Sequence, residues 1–111
     1  MSGIPVYKQR AKFEPELSIN SAALTGGYDL IGTLTQNPVI LIFQNDSTVT
    51  VGISDDNATT GITLVAGTKI IFDLRSAHGL ASNFTWDVGT KFYAKGAAGV
   101  GLVKISAIYA R

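Results

Sequence analysis

Along this chain the hydrophobic residues recur mostly at every second position, in short runs set apart by clusters of Gly, Asn, Asp and Pro. A two-residue period places alternate side chains on opposite faces of an extended backbone, so the pattern predicts strands. Residues 28–34 form the first clear run, with Tyr28, Leu30, Gly32 and Leu34 expected on one side. Pro38 opens Val39-Ile-Leu-Ile-Phe43, whose unbroken apolar character fits a strand covered on both faces. Asn45-Asp46-Ser47 has turn chemistry, because Asn and Asp tolerate left-handed backbone and bond their own main chain. Residues 48–54 then alternate strictly, with Val49, Val51 and Ile53 on one face. The two runs and the turn between them predict a β-hairpin.

A polar stretch, residues 54–61, separates that pair from a short run at 62–65, and Ala66-Gly67 turns into residues 68–74. A second loop, 75–82, carries the lone His78, and Asn83-Phe-Thr-Trp86 reads equally as strand or turn. Residues 91–94 and 100–110 complete the series, the last with Val103, Ile105, Ala107 and Tyr109 facing one way. No stretch of ten residues has a helical period. Short strands at roughly 8–12-residue spacing predict an all-β fold, a small antiparallel β-sandwich or barrel.

Residues 1–27 differ from the rest. Lys8, Arg10 and Lys12 alternate with Gln9, Ala11 and Phe13, Pro5 and Pro15 disfavour helix, and Gly26-Gly27 offers a hinge. This predicts an extended N-terminal arm over 1–27, with Ile4, Val6, Tyr7, Lys8, Arg10 and Phe13 as partner-binding residues, ahead of a β-sandwich domain over 28–111. The competing expectation makes residues 7–13 the first strand of the sandwich.

Composition narrows what such a domain does. A chain of 111 residues is one domain and buries only about 60–70% of its unfolded surface. Small domains offset this with disulfides, metals or oligomerisation. Cysteine is absent and there is one histidine, so oligomerisation or docking onto a larger assembly is the expected support. Charged residues are 15% of the chain, against about 25% in an ordinary domain, and 46% are hydrophobic, which suggests surface covered by protein. A net charge of +1 gives no field to gather nucleic acid. The N-terminus lacks the apolar core of a signal peptide, and no run approaches the roughly 20 residues that span a bilayer, so synthesis and assembly in a cytoplasm are expected. The Asn45, Asn57 and Asn83 acceptor triplets then read as chance in a Thr-rich sequence.

Catalytic chemistry finds little support. His78 is the one conventional base, and Ser-Ala-His-Gly-Leu has no nucleophile elbow beside it. Asp55 and Asp56 are adjacent on a loop, not on separated elements facing a cleft as a hydrolytic pair would be. The same loop has oxygen ligands but not the spacing of a calcium-binding EF-hand. Gly96-Ala-Ala-Gly-Val-Gly101 leads into a strand, unlike a phosphate-cradling loop. No cofactor and no enzymatic activity are expected.

Two segments carry a resemblance. Phe43-Gln-Asn-Asp-Ser-Thr-Val-Thr-Val-Gly-Ile-Ser54, followed by Thr59-Thr-Gly-Ile-Thr-Leu-Val-Ala-Gly-Thr-Lys-Ile-Ile-Phe-Asp-Leu74, resembles small virion proteins of tailed bacteriophages. Residues 89–105, Gly89 to Ile105, look like the last hairpin of the same proteins. The resemblance spans about residues 38–109 and implies a jelly-roll-like sandwich without an active site. It implies a capsid decoration (cement) protein bound to the major capsid protein or other virion proteins as a homo-oligomer, trimer or dimer, without nucleic acid or membrane. The alternatives are a head–tail neck or tail-tip component, and a carbohydrate- or receptor-binding module using Trp86, Tyr93 and the 54–60 loop.

Overall fold

A computed structural model of the chain describes residues 10–74 and 86–110. Ile4, Val6, Tyr7, Lys8, His78 and residues 83–85 lie outside them. The fold is all-β. Among the described residues nine strands run β1 (Ala11–Phe13), β2 (Leu17–Asn20), β3 (Tyr28–Thr33), β4 (Pro38–Asn45), β5 (Val51–Ser54), β6 (Ile62–Leu64), β7 (Lys69–Asp73), β8 (Lys91–Lys95) and β9 (Leu102–Ala110).

They form two antiparallel sheets. One has the order β1-β9-β4-β7, with β2 beside β1 along the same flank of β9; the other has the order β3-β8-β5-β6. The pairing is nested: β5 pairs with β6, β4 with β7, β3 with β8 and β2 with β9, all antiparallel. The chain is therefore one long hairpin, rolled so that β4 also meets β9 and β5 also meets β8. This wrapping is the connectivity of a jelly roll, and it gives the predicted sandwich its specific form.

Alternation explains which side of each strand faces the core. In β9, Val103, Ile105 and Ala107 are buried as expected, and in β5 so are Val51 and Ile53. Leu41 and Phe43 of β4 join them, with Leu34, Leu64, Phe92 and Ala94 opposite. Each fully buried Leu or Phe contributes roughly 1.5–3 kcal/mol relative to exposure.

Three expectations are corrected. First, residues 39–54 are not a hairpin, because β4 and β5 lie in different sheets. Asn45 is fully buried and its Nδ2 donates to the carbonyls of Val49 (2.8 Å) and Leu64 (3.0 Å), while its Oδ1 accepts from the Ser47 amide (3.0 Å). The chain is tied there to β6 and carried across the sandwich. Second, the face of β3 is inverted, since a bulge between Leu30 and Gly32 turns Ile31 inward and leaves Leu30 half exposed. Third, the boundary at residue 27 does not separate an arm from a body. β1 and β2 pair with β9 from Ala11 to Asn20, so this stretch belongs to the sandwich.

The physical reason is a set of anchors hidden in a polar-looking stretch. Glu14 is 5% exposed, its amide donates to the Ala107 carbonyl (3.0 Å), and its Oε1 accepts from the Thr35 amide and hydroxyl. Ser21 donates both its amide and its hydroxyl to the Gly101 carbonyl (2.9 and 2.8 Å). Gly101 itself has φ of 103°, and a Cβ there would clash with the Asp46 carbonyl oxygen, so only glycine fits this crossing.

Asn45→Ala takes the side-chain donor from the buried Leu64 carbonyl, leaves the Val49 carbonyl with the Ser47 hydroxyl alone, and opens a small void. It is expected to destabilise the domain by about 2–4 kcal/mol, seen as a lower urea midpoint at unchanged m-value. A change within about 0.5 kcal/mol would show that water replaces the amide and that Asn45 does not hold the crossing.

Candidate interaction surface

The outward face of the β1-β9-β4-β7 sheet is unusually apolar for a solvated surface. Directly opposed residues on antiparallel strands share a face. Register therefore aligns Phe13, Ile108 and Ile40 in one row, which ends at Asp73, and Ser106, Ile42 and Ile71 in the next. Phe13 is 82% exposed and Ile71 56%, while Ile40, Ile42 and Ile108 are half-buried. The third row, Ser18, Lys104, Gln44 and Lys69, is polar and bounds the patch. Val39 to Phe43 was expected to be covered on both faces. Here the core covers Leu41 and Phe43, while Ile42 lies on the outward face and is half-buried.

Of the predicted partner-binding residues, Arg10 and Phe13 are described, and both are exposed. Phe13 sits on the apolar patch at the end of β1. Ile4, Val6, Tyr7 and Lys8 lie outside the described residues. Sequence reading missed Ile40, Ile42, Ile71 and Ile108 as surface residues, since an unbroken apolar run does not reveal which side the core will take.

Trp86 occupies a different place. Its ring meets Phe43, Phe72 and Phe92 edge-on, with centroids 6.1, 5.7 and 5.7 Å away. Its Nε1 donates to Asp55 Oδ2 at 3.1 Å, and its carbonyl accepts from Asn37. These rings and Ile53, Ile62 and Gly61 line a cleft of about 250 Å³ between the sheets. Its lining is apolar and Asp55 is already engaged by the indole, which fits a gap in the core better than a sugar platform. Tyr93 is on β8 across from Ser54, so the structure does bring Tyr93 and the 54–60 loop together.

The 54–60 loop is organised by its own hydrogen bonds. Asp56 Oδ1 accepts from the amides of Thr59 (2.8 Å) and Ala58 (2.9 Å) and the Ser54 hydroxyl, and Oδ2 accepts from the Thr59 hydroxyl. The two amides first, then the hydroxyls, hold this carboxyl well below its ordinary 3.8. Asn57 follows with φ of 60°, as the turn requires. Among the described residues no group of three or more His, Asp or Glu is placed to hold a metal ion. At the other end of the sandwich Asp46 is also lowered, by the Gln44 amide and then Lys104, whose ammonium is 3.2 Å away.

Comparison with protein-family models, with curated proteins and with solved structures found no match.

Two outcomes test this description. Trp86→Phe keeps a ring among the three phenylalanines and loses the bond to Asp55, so thermal unfolding is expected to show a loss of about 1 kcal/mol, against about 3 for Trp86→Ala. An alanine variant as stable as the parent would move Trp86 out of the core. Asp56 has a folded pKa below its unfolded one, so its contribution is present above 3.8 and is lost as pH falls through and below that value. Asp56→Asn should therefore lower the melting temperature at neutral pH and flatten its decline in acid; parallel pH curves for the two proteins would contradict the loop's role.

Proposed function

We propose that the chain is a non-enzymatic structural protein of a bacteriophage particle, a decoration (cement) protein that binds the major capsid protein and stabilises the head lattice. The observation that carries this reading is the outward apolar face on a jelly roll, where Phe13 and Ile71 are exposed and Ile40, Ile42 and Ile108 half-buried among the described residues. Contiguous exposed apolar surface of this kind marks protein-binding sites. The low charge of the chain agrees with it, as does the resemblance of residues 43–54, 59–74 and 89–105 to small phage virion proteins.

Mechanically, each copy lays this face across neighbouring coat subunits, with Phe13 as the aromatic anchor and the Lys69–Lys104 row at the rim. Burying roughly 800 Å² per partner makes such a contact specific. Repetition around a homo-oligomer raises the effective concentration of every further contact. The chain acts in the virion after assembly in the host cytoplasm.

Phe13→Asp removes an 82%-exposed ring, so the fold is expected to survive while binding to purified particles of the encoding phage is lost. Full occupancy by a folded Phe13→Asp protein would reject this face as the lattice contact. Quantitative mass spectrometry of the virion should find a copy number commensurate with the coat protein. A single ring's worth of copies would replace decoration with a neck or tail position.

A further inference from the structure

A two-sheet fold leaves four sheet edges, and three of them are blunted in recognisable ways. β3 is bulged between Leu30 and Gly32. The β1/β2 flank is interrupted at Glu14-Pro15-Glu16, where the proline has no amide to offer. β6 is only three residues long. Bulges, prolines and short strands are the usual means of keeping an edge from pairing with another chain. β7 has none of these three; it carries the charges Lys69 and Asp73, which guard an edge unless a second strand meets them with opposite charge. It is five residues in unbroken register with β4, and among the described residues no strand pairs with its outer side.

The direction of its outward main-chain groups follows from the ladder. Asn45 exchanges both main-chain bonds with the turn before β7, its amide donating to the Thr68 carbonyl and its carbonyl accepting from the Gly67 amide, both at 2.8 Å. Bonding alternates along an antiparallel pair, so Phe43 with Ile70 and Leu41 with Phe72 are the next bonded pairs. The amides and carbonyls of Lys69, Ile71 and Asp73 therefore point away from β4, toward the outer side of β7. The side chains of these same three residues are exposed.

The strand is also self-complementary. Lys69 and Asp73 stand symmetrically about Ile71. We propose that β7 is a self-association edge, at which two copies of this chain pair antiparallel about a two-fold axis at Ile71 and join their five-stranded sheets. In that register Ile71 bonds Ile71 of the second copy, and each Lys69 lies opposite Asp73 of the second copy. These are the residues whose main-chain groups face the edge, so register, hydrogen bonding and charge agree. Asp73 already has a partner in its own chain, and its exposed carboxylate has acceptor capacity for the lysine as well. A two-residue slip sets Lys69 against Ile71 and loses both ion pairs. The inference names the interface of the homo-oligomer proposed above, but it rests on edge geometry and not on the phage reading.

The test is sedimentation equilibrium of the full chain. The parent is expected to form a dimer whose fraction rises with concentration. Ile71→Pro removes an amide that β4 does not use, so circular dichroism should show a retained fold and sedimentation a monomer. Lys69→Asp and Asp73→Lys each place like charges opposite one another twice, and each should weaken dimerisation by at least about tenfold. Mixed together, those two single variants are complementary and should form a heterodimer; the double exchange in one chain should dimerise like the parent. A parent that stays monomeric, or a dimer indifferent to all of these changes, overturns the proposal. A monomeric parent that still coats particles would remove the β7 edge and leave the lattice reading standing. A β7 dimer that ignores particles would do the reverse.

Discussion

The jelly roll depends on a single buried amide at the place where the chain leaves one sheet for the other. Asn45 has all its hydrogen-bonding capacity engaged: its amide nitrogen serves β6 and the 45–50 segment, its oxygen serves Ser47, and its main chain serves the turn before β7. A buried polar side chain is tolerable only when satisfied in this way, and then it specifies one arrangement over its competitors. The competitor here is the simple hairpin. If residues 46–54 folded back on β4, Asn45 would lose Leu64 and the 67–68 turn together. The amide therefore selects the crossing, and the crossing lets β4 take β9 and β7 as its neighbours instead of β5.

That local decision is what the sequence could not display. Alternation announced the strands themselves, and Val51, Ile53, Val103, Ile105 and Ala107 face the core as their spacing requires. Pairing partners are a different matter, because they are set by contacts far apart in the chain. The turn chemistry of Asn45-Asp46-Ser47 is real, yet it serves an Asx-type bond within a crossover and not a two-strand return. The bulge at β3 inverted a face because one extra residue resets the parity, and Gly32, the residue that marks it, reads in the alternation as one more position on the face. Residues 11–20 looked like a detached arm because their anchors are polar. Glu14 and Ser21 are buried by main-chain bonding, which hydrophobic patterning does not register.

The candidate surface was legible in part, and the missing part is instructive. Phe13 stood out because an aromatic residue among lysines and glutamates has few roles other than contact. The isoleucines of β4 were visible as a run but were assigned to burial on both sides. In the isolated chain one side of that run is core, and the other, with Ile71 and Ile108, faces outward. A strand patterned for two covers but given one among the described residues is what docking onto another protein would complete. Trp86 went the opposite way, from a potential stacking platform to an edge-on member of an aromatic cluster.

The two proposed contacts reinforce each other through symmetry. A two-fold axis that pairs two β7 strands edge to edge stands perpendicular to the joined sheet, so both copies turn the same face to the same side. The Phe13–Ile108–Ile40 rows of the two copies then lie on the same side, each continued across the axis through Asp73 by the polar Lys69–Gln44–Lys104 row of the other copy, with Ile71 of each copy beside the axis. A face-to-face dimer would bury the same patch and leave nothing to meet a lattice. Edge pairing instead doubles the exposed apolar surface and fixes the spacing of its two halves, which makes the second lattice contact effectively intramolecular once the first has formed. A weak patch on a small domain, held in pairs by a self-complementary edge, thereby becomes a bivalent one without any residue being added to it.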